Sequence, residues 1–129
     1  MANITVKKND GVTDVIYTAV VPSAGDKSPA IWKNQTVGTA AGHRPEFRML
    51  SRDNGTTTAR RVDVEFTYPS LVVGSDGKTN IADRFVVNAS FLVPKGMADA
   101  DVNEGVSQVV NLMASVLSKD SLKAGYSPT

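Results

Sequence analysis

Two stretches in the middle of the chain alternate strictly between apolar and polar positions. Over 84–93, Phe85, Val87, Ala89, Phe91 and Val93 occupy one parity, and Arg84, Val86, Asn88, Ser90 and Leu92 the other. Over 60–69, Val62, Val64, Phe66 and Tyr68 alternate with Arg61, Asp63, Glu65 and Thr67. Successive side chains of a strand point to opposite faces, so each stretch predicts a strand with one apolar and one largely polar side. An antiparallel sheet covered on one face and open on the other has this pattern. The open face is then the place to look for function.

The rest of the chain adds shorter strands. Residues 4–6 and 15–21 flank a polar segment with Asp10-Gly11, a turn pair that favours positive φ, and predict an N-terminal hairpin within 1–21. Residues 22–29 (PSAGDKSP) are a loop by composition. A third strand is expected over 30–37 around Trp32, then a loop over 38–45 with the only histidine, His43. Phe47 and Met49 alternate with Arg48, Leu50 and Arg52, and Asp53-Asn54-Gly55 turns that strand back onto 60–69. Pro69 is expected to end its strand, because it cannot donate to a ladder. A loop over 71–81 should follow, and Pro94 should stop the last strand.

The final third changes period. Val102, Val106, Val109, Val110, Met113, Val116 and Leu117 lie on one helical face. Asp101 is the expected N-cap, with Glu104 completing a capping-box pattern, and 121–124 adds a short last turn. Gly105 and the valines are poor helix formers, so packing must hold this helix. At about 1.5–3 kcal/mol per buried side chain, burial of the stripe is obligatory, and the apolar sheet face is its expected partner. The reading is one α+β domain over 1–129: the hairpin at 1–21, an antiparallel sheet of about five strands over 30–94 in all, and a helix pair over 99–124.

Composition narrows the chemistry. A chain of 129 residues can bury a real core, and no apolar run approaches a membrane span. The start lacks the basic-then-apolar layout of a signal peptide. With no cysteine there is neither a disulfide framework nor thiolate chemistry. Net charge is +1, but Asp99, Asp101, Glu104 and Asp120 outweigh Lys119 and Lys123 by two, leaving the first 98 residues positive. All six arginines, Arg44, Arg48, Arg52, Arg60, Arg61 and Arg84, lie in the sheet-forming middle. The guanidinium fork suits phosphate, and it equally suits a solvated strand surface.

Catalytic signatures are missing. His43 has no serine or cysteine nucleophile pattern around it, no metal-ligand spacing occurs, and no phosphate-binding glycine loop precedes a helix. Asp63 and Glu65 share a strand face, where pairing with Arg48, Arg61 or Arg84 explains them better than acid–base work. The chain is therefore expected not to be an enzyme and to need no cofactor or metal. If the three central strands are neighbours, their outward side chains pool. Arginines can then hold phosphate while Asn88, Ser90 and Thr67 read base edges of unpaired RNA.

The ordered elements resemble the coat proteins of single-stranded RNA bacteriophages, the leviviruses. The similarity covers the whole layout and is most specific in ARRVDVEFTYPSLVV and DRFVVNASFLVP, with AIWKNQT and VSQVVNLMASVLSKD resembling a family strand and its long helix. The resemblance implies an interlocked homodimer with a continuous sheet, each subunit's helices crossing the partner's sheet. It implies assembly into an icosahedral shell, commonly T=3, inside a bacterial host, with the loop between the two central strands adapting to the symmetry axes. It further implies that the open sheet face packages genomic RNA, and that an RNA hairpin bound there can repress replicase translation. Carried over by position, the RNA-facing residues would be Arg48, Arg52, Arg60, Arg61, Arg84, Asn88 and Ser90. The sequence departs from the family at Asp63 and Glu65, where some members have a hydroxyl and a lysine, and at Val86, where some have an aromatic. A dimeric RNA-binding regulator that forms no shell is the alternative reading, and a β-rich adhesion or assembly subunit without RNA is a third.

Overall fold

The computed structural model describes every residue except Thr39. It divides into two compact units, Met1–Leu92 and Val93–Thr129.

The first unit is one six-stranded sheet in sequential order: β1 (Ile4–Lys7), β2 (Asp14–Val21), β3 (Ala30–Lys33), β4 (Glu46–Asp53), β5 (Ala59–Val73) and β6 (Thr79–Pro94). The pairings β1–β2, β2–β3, β3–β4 and β4–β5 are antiparallel. β2 serves two neighbours: its first half pairs with β1, its second half with β3, and the register shifts between Ala19 and Val21. The Asp10 carboxylate builds the β1–β2 turn by accepting from the Val12 and Thr13 amides at 2.9 Å each and from the Thr13 hydroxyl at 2.5 Å.

Pairing fixes which side chains share a face. Ile4 opposes Tyr17, Ala19 opposes Trp32, Trp32 opposes Phe47 and Phe47 opposes Phe66. These residues form the core, in which Tyr17, Ala30 and Trp32 are buried and Ile4, Val15, Ala19, Phe47, Met49 and Phe66 pack against them. The N-terminal segment closes one side: the Trp32 indole donates to the Ala2 carbonyl at 2.9 Å, and Asn3 Oδ1 accepts from the Ala19 amide at 3.0 Å.

Several boundaries differ from the sequence expectation. β3 ends at Lys33, not 37, because buried Asn34 turns the chain, its Oδ1 accepting from the Thr36 amide at 3.0 Å and hydroxyl at 2.7 Å. The segment that follows, expected to be a loop over 38–45, includes Thr39, which lies outside the described residues; a short 3-10 turn occupies Ala41–His43. Pro69 does not end its strand but sits buried inside β5. The inter-strand loop shrinks from 71–81 to 74–78, since the apolar run Leu71–Val73 extends β5. It closes through Gly74 N–H to Lys78 O at 2.8 Å and Lys78 N–H to Asp76 Oδ1 at 3.0 Å, with Gly77 at φ 77°.

The second unit holds α1 (Asp99–Met113) and α2 (Val116–Ala124). The single stripe expected through Leu117 is broken at Ala114-Ser115, where Ser115 caps α2 by accepting from the Ser118 amide at 3.4 Å. Ala98, not Asp101, is the N-cap of α1 and has no side-chain cap bond. Glu104 accepts from Gln108 at 2.7 Å, one turn on, and completes no capping box. Neither helix contains a buried residue. Val110 is 53% exposed and Leu117 65%, so the second unit does not by itself bury the stripe. On the sheet, Tyr68 and Phe85 likewise stay about half exposed.

Candidate nucleic-acid interface

The face opposite the core is polar and built by register. Ile31 opposes Arg48 and Lys33 opposes Glu46; Glu46, Arg48, Leu50 and Arg52 then oppose Thr67, Glu65, Asp63 and Arg61. The Ser90 hydroxyl donates to Asp63 Oδ1 at 2.9 Å, which puts the even positions of β6, with Arg84, Val86, Asn88 and Ser90, on this side. The sheet thus brings together six of the seven RNA-facing candidates: Arg48, Arg52, Arg61, Arg84, Asn88 and Ser90.

Arg60 is placed apart. It opposes Asp53 on the other side of the sheet and is held by carboxylates, donating to Asp26 at 2.5 and 2.9 Å and to Asp53 at 3.0 Å. Its charge is strongly favoured, chiefly by the Asp26 hydrogen bonds and then by Asp53. This cluster, with the Lys27 amide donating to Ser51 O at 2.9 Å, straps the 22–29 loop to the end of β4.

The arginines on the polar face fall into two groups. Arg48 lies between two carboxylates, Nε 3.2 Å from Glu46 Oε1 in an ion pair and Nη1 3.9 Å from Glu65. Arg52 Nε reaches Asp63 Oδ2 at 3.4 Å, and Lys33 reaches Glu46 at 3.4 Å. Arg61 and Arg84 form no ion pair among the described residues. Arg61 stands directly across from Arg52, and like charges so placed repel unless an anion lies between them. The face is therefore neutral in its middle and positive near Arg61 and Arg84.

An open depression of about 270 Å³ lies at the Arg84 end, lined by Lys33, Arg44, Glu46, Thr67 and Arg84, with Ala41, Gly42 and Pro69. Lys33 and Arg44 were not among the sequence candidates. The Ile31/Lys33 parity opposite buried Ala30 and Trp32 could have identified Lys33; nothing in the loop sequence pointed to Arg44, which donates to Gln35. His43 sits beside this depression with a buried Nδ1 that has no partner among the described residues, and neither a serine nor a cysteine is among the lining residues. No group of three or more His, Cys, Asp or Glu side chains among the described residues could hold a metal ion, and no helix is long and apolar enough to cross a membrane.

A six-stranded antiparallel sheet with one polar face, followed by two helices, is the α+β architecture of the coat proteins of single-stranded RNA phages, and this chain has that fold. The virus-like particle of bacteriophage NT-214 matches with a TM-score of 0.83 at 15% identity, over 100% of this chain and 98% of that one. The bacteriophage GA capsid protein matches at 0.76 and 15%, over 97% of this chain and 95% of that one. The virus-like particle of Beihai levi-like virus 21 matches at 0.77 and 15%, over 100% and 97%. No protein-family model matches the chain, and no curated protein matches it in sequence.

Proposed function

We propose that this chain is a structural coat protein: it dimerises, and the dimers assemble into an icosahedral shell, commonly T=3, that packages genomic single-stranded RNA against the polar sheet face. The observation that carries the reading is the helical apolar stripe, exposed along Val106, Val110, Met113 and Leu117 in a fold otherwise shared over the whole chain with phage capsid subunits. Exposed apolar patches of this kind mark interaction surfaces. A second copy, interlocked so that each subunit's helices cover the other's sheet, removes both exposed apolar sets at once. The role is structural, not catalytic. The site of action is the virion, with assembly in the bacterial cytoplasm. Binding of an RNA hairpin, with repression of replicase translation, is a secondary use of the same face.

Arg48, Arg52, Arg61, Arg84, Asn88 and Ser90 are the RNA-facing set; Arg60 is left out because Asp26 and Asp53 hold it on the other side. The test is expression in a bacterial host, followed by size-exclusion chromatography and negative-stain microscopy. Uniform spherical particles carrying nuclease-protected RNA are expected. A small dimer without particles overturns the shell and leaves an RNA-binding regulator; particles empty of RNA overturn packaging.

A further inference from the structure

In the middle of the polar face the carboxylates are paired with arginines, so this part offers phosphate no net attraction. Asp63 accepts from Ser90 at 2.9 Å and from Arg52 at 3.4 Å, and among the described residues the cation that approaches Glu65 is Arg48, at 3.9 Å. A carboxylate has about four lone-pair sites, so both keep acceptor capacity. The Glu65 side chain is 54% exposed, against 26% for Asp63, which makes Glu65 the more accessible acceptor. Arg61 and Arg84, the strand arginines of this face without a carboxylate partner among the described residues, lie toward opposite ends of the stretch of β5 that pairs with β4. Arg61 is on the strand itself, and Arg84 is beside Thr67, six residues or about 20 Å further along. A single strand crossing this face is attracted by its phosphates at the two ends and presents bases, not phosphates, to the neutral middle, where the carboxylates keep acceptor capacity.

What can a base offer a carboxylate? Cytosine presents its N4 amino group as a donor, the pairing by which Glu and Asp recognise it. Uracil presents a carbonyl oxygen at the same place, and two acceptors repel. Unpaired RNA bases expose this edge to a protein surface. We propose that Glu65, supported by Asp63, selects unpaired bases carrying an exocyclic amino group, cytosine over uracil, on the RNA face. The inference rests on the RNA-packaging reading above and adds to it a base preference.

The test compares two RNAs of about ten nucleotides, oligo(C) and oligo(U), within the site sizes usual for single-strand binders. Both are pyrimidines of the same size, and the carboxylate variants below separate the amino-for-carbonyl exchange from any difference in stacking. Each is titrated by fluorescence anisotropy with the full chain, dissociated and freed of co-purified nucleic acid. The chain is expected to bind oligo(C) at least about fivefold more tightly, the low end for one base-specific contact. Glu65→Gln should bring the ratio toward one, because an amide can donate to the uracil carbonyl as well as accept. Asp63→Asn is the second variant and should lower the ratio less. A wild-type ratio of one overturns the inference while leaving RNA packaging intact. A ratio that survives both variants overturns the assignment to these carboxylates. Failure to bind either RNA overturns the base preference and the RNA-packaging reading together.

Discussion

The rings of Tyr17 and Phe66 lie 6.2 Å apart, centroid to centroid, although β3 and β4 separate their strands. Three strand spacings of about 4.8 Å would hold them roughly 14 Å apart in a flat sheet. The sheet therefore curls toward its apolar side and brings the N-terminal hairpin over the core. Tyr17→Ala removes one of the few buried large side chains, and the expected loss is about 3 kcal/mol, read as a lower denaturation midpoint with the m-value unchanged. Burial also raises the Tyr17 phenol above its usual range. The protonated form is then favoured more in the folded than in the unfolded state. This stability is full below the unfolded value near 10 and is lost as pH rises through the folded one; Tyr17→Phe should flatten that alkaline loss in a pH series of denaturation curves.

Arg60 and Arg61 are adjacent in sequence and face opposite ways, so their variants should differ. Arg61→Ala and Arg84→Ala are each expected to weaken RNA binding and to reduce the salt slope of log K by about one. Arg60→Ala should leave that slope unchanged and instead loosen the 22–29 loop, seen as faster hydrogen exchange at the Lys27 amide. An unchanged slope in Arg84→Ala removes that residue from the phosphate contacts.

Much of this face was legible from alternation alone. Parity placed Arg48, Arg52, Arg61, Asp63 and Glu65 on one side before any pairing was known, because a strand has only two sides. Arg60 entered the RNA-facing set by position carried over from a resemblance, whereas the same parity puts it on the other side, opposite Asp53. The carboxylates that hold it come from Asp26, 34 residues away, and from Asp53 across the turn, and no local pattern announces the first contact. The length of β5 was underestimated for a similar reason. Pro69 signals a strand end in isolation, and only the buried environment around it shows that β5 runs on.

Asp10 is held down to about 2, first by the Thr13 hydroxyl and then by the Val12 and Thr13 amides. A depressed carboxyl contributes stability that is full above its unfolded value, near 3.8, and is lost as pH falls through about 2. Acidification across this window should raise hydrogen exchange at Val12 and Thr13 before the sheet opens. Asp10→Ala should show the raised exchange already at neutral pH, and equal protection in the variant would remove the carboxylate from the turn.

The 74–78 turn places Gly77 at φ 77°, a conformation that a side chain resists. At Gly74 an added Cβ would meet Asp76 Oδ1 at 2.9 Å. Gly77→Ala is expected to destabilise by about 1 kcal/mol and to alter particle size or particle stability while dimers persist. Mass photometry of the variant checks both; loss of the dimer itself would show that the turn is needed for the subunit fold.

The bond from the Trp32 indole to the Ala2 carbonyl ties the only tryptophan, 8% exposed, to the first residues of the chain. The protein thus carries an intrinsic optical reporter of its own N-terminal segment. While that segment is docked the indole is shielded and its emission stays blue; displacement of residues 1–3 admits water and shifts the emission to the red. Docking and release of the segment can then be followed through assembly by fluorescence, without a label.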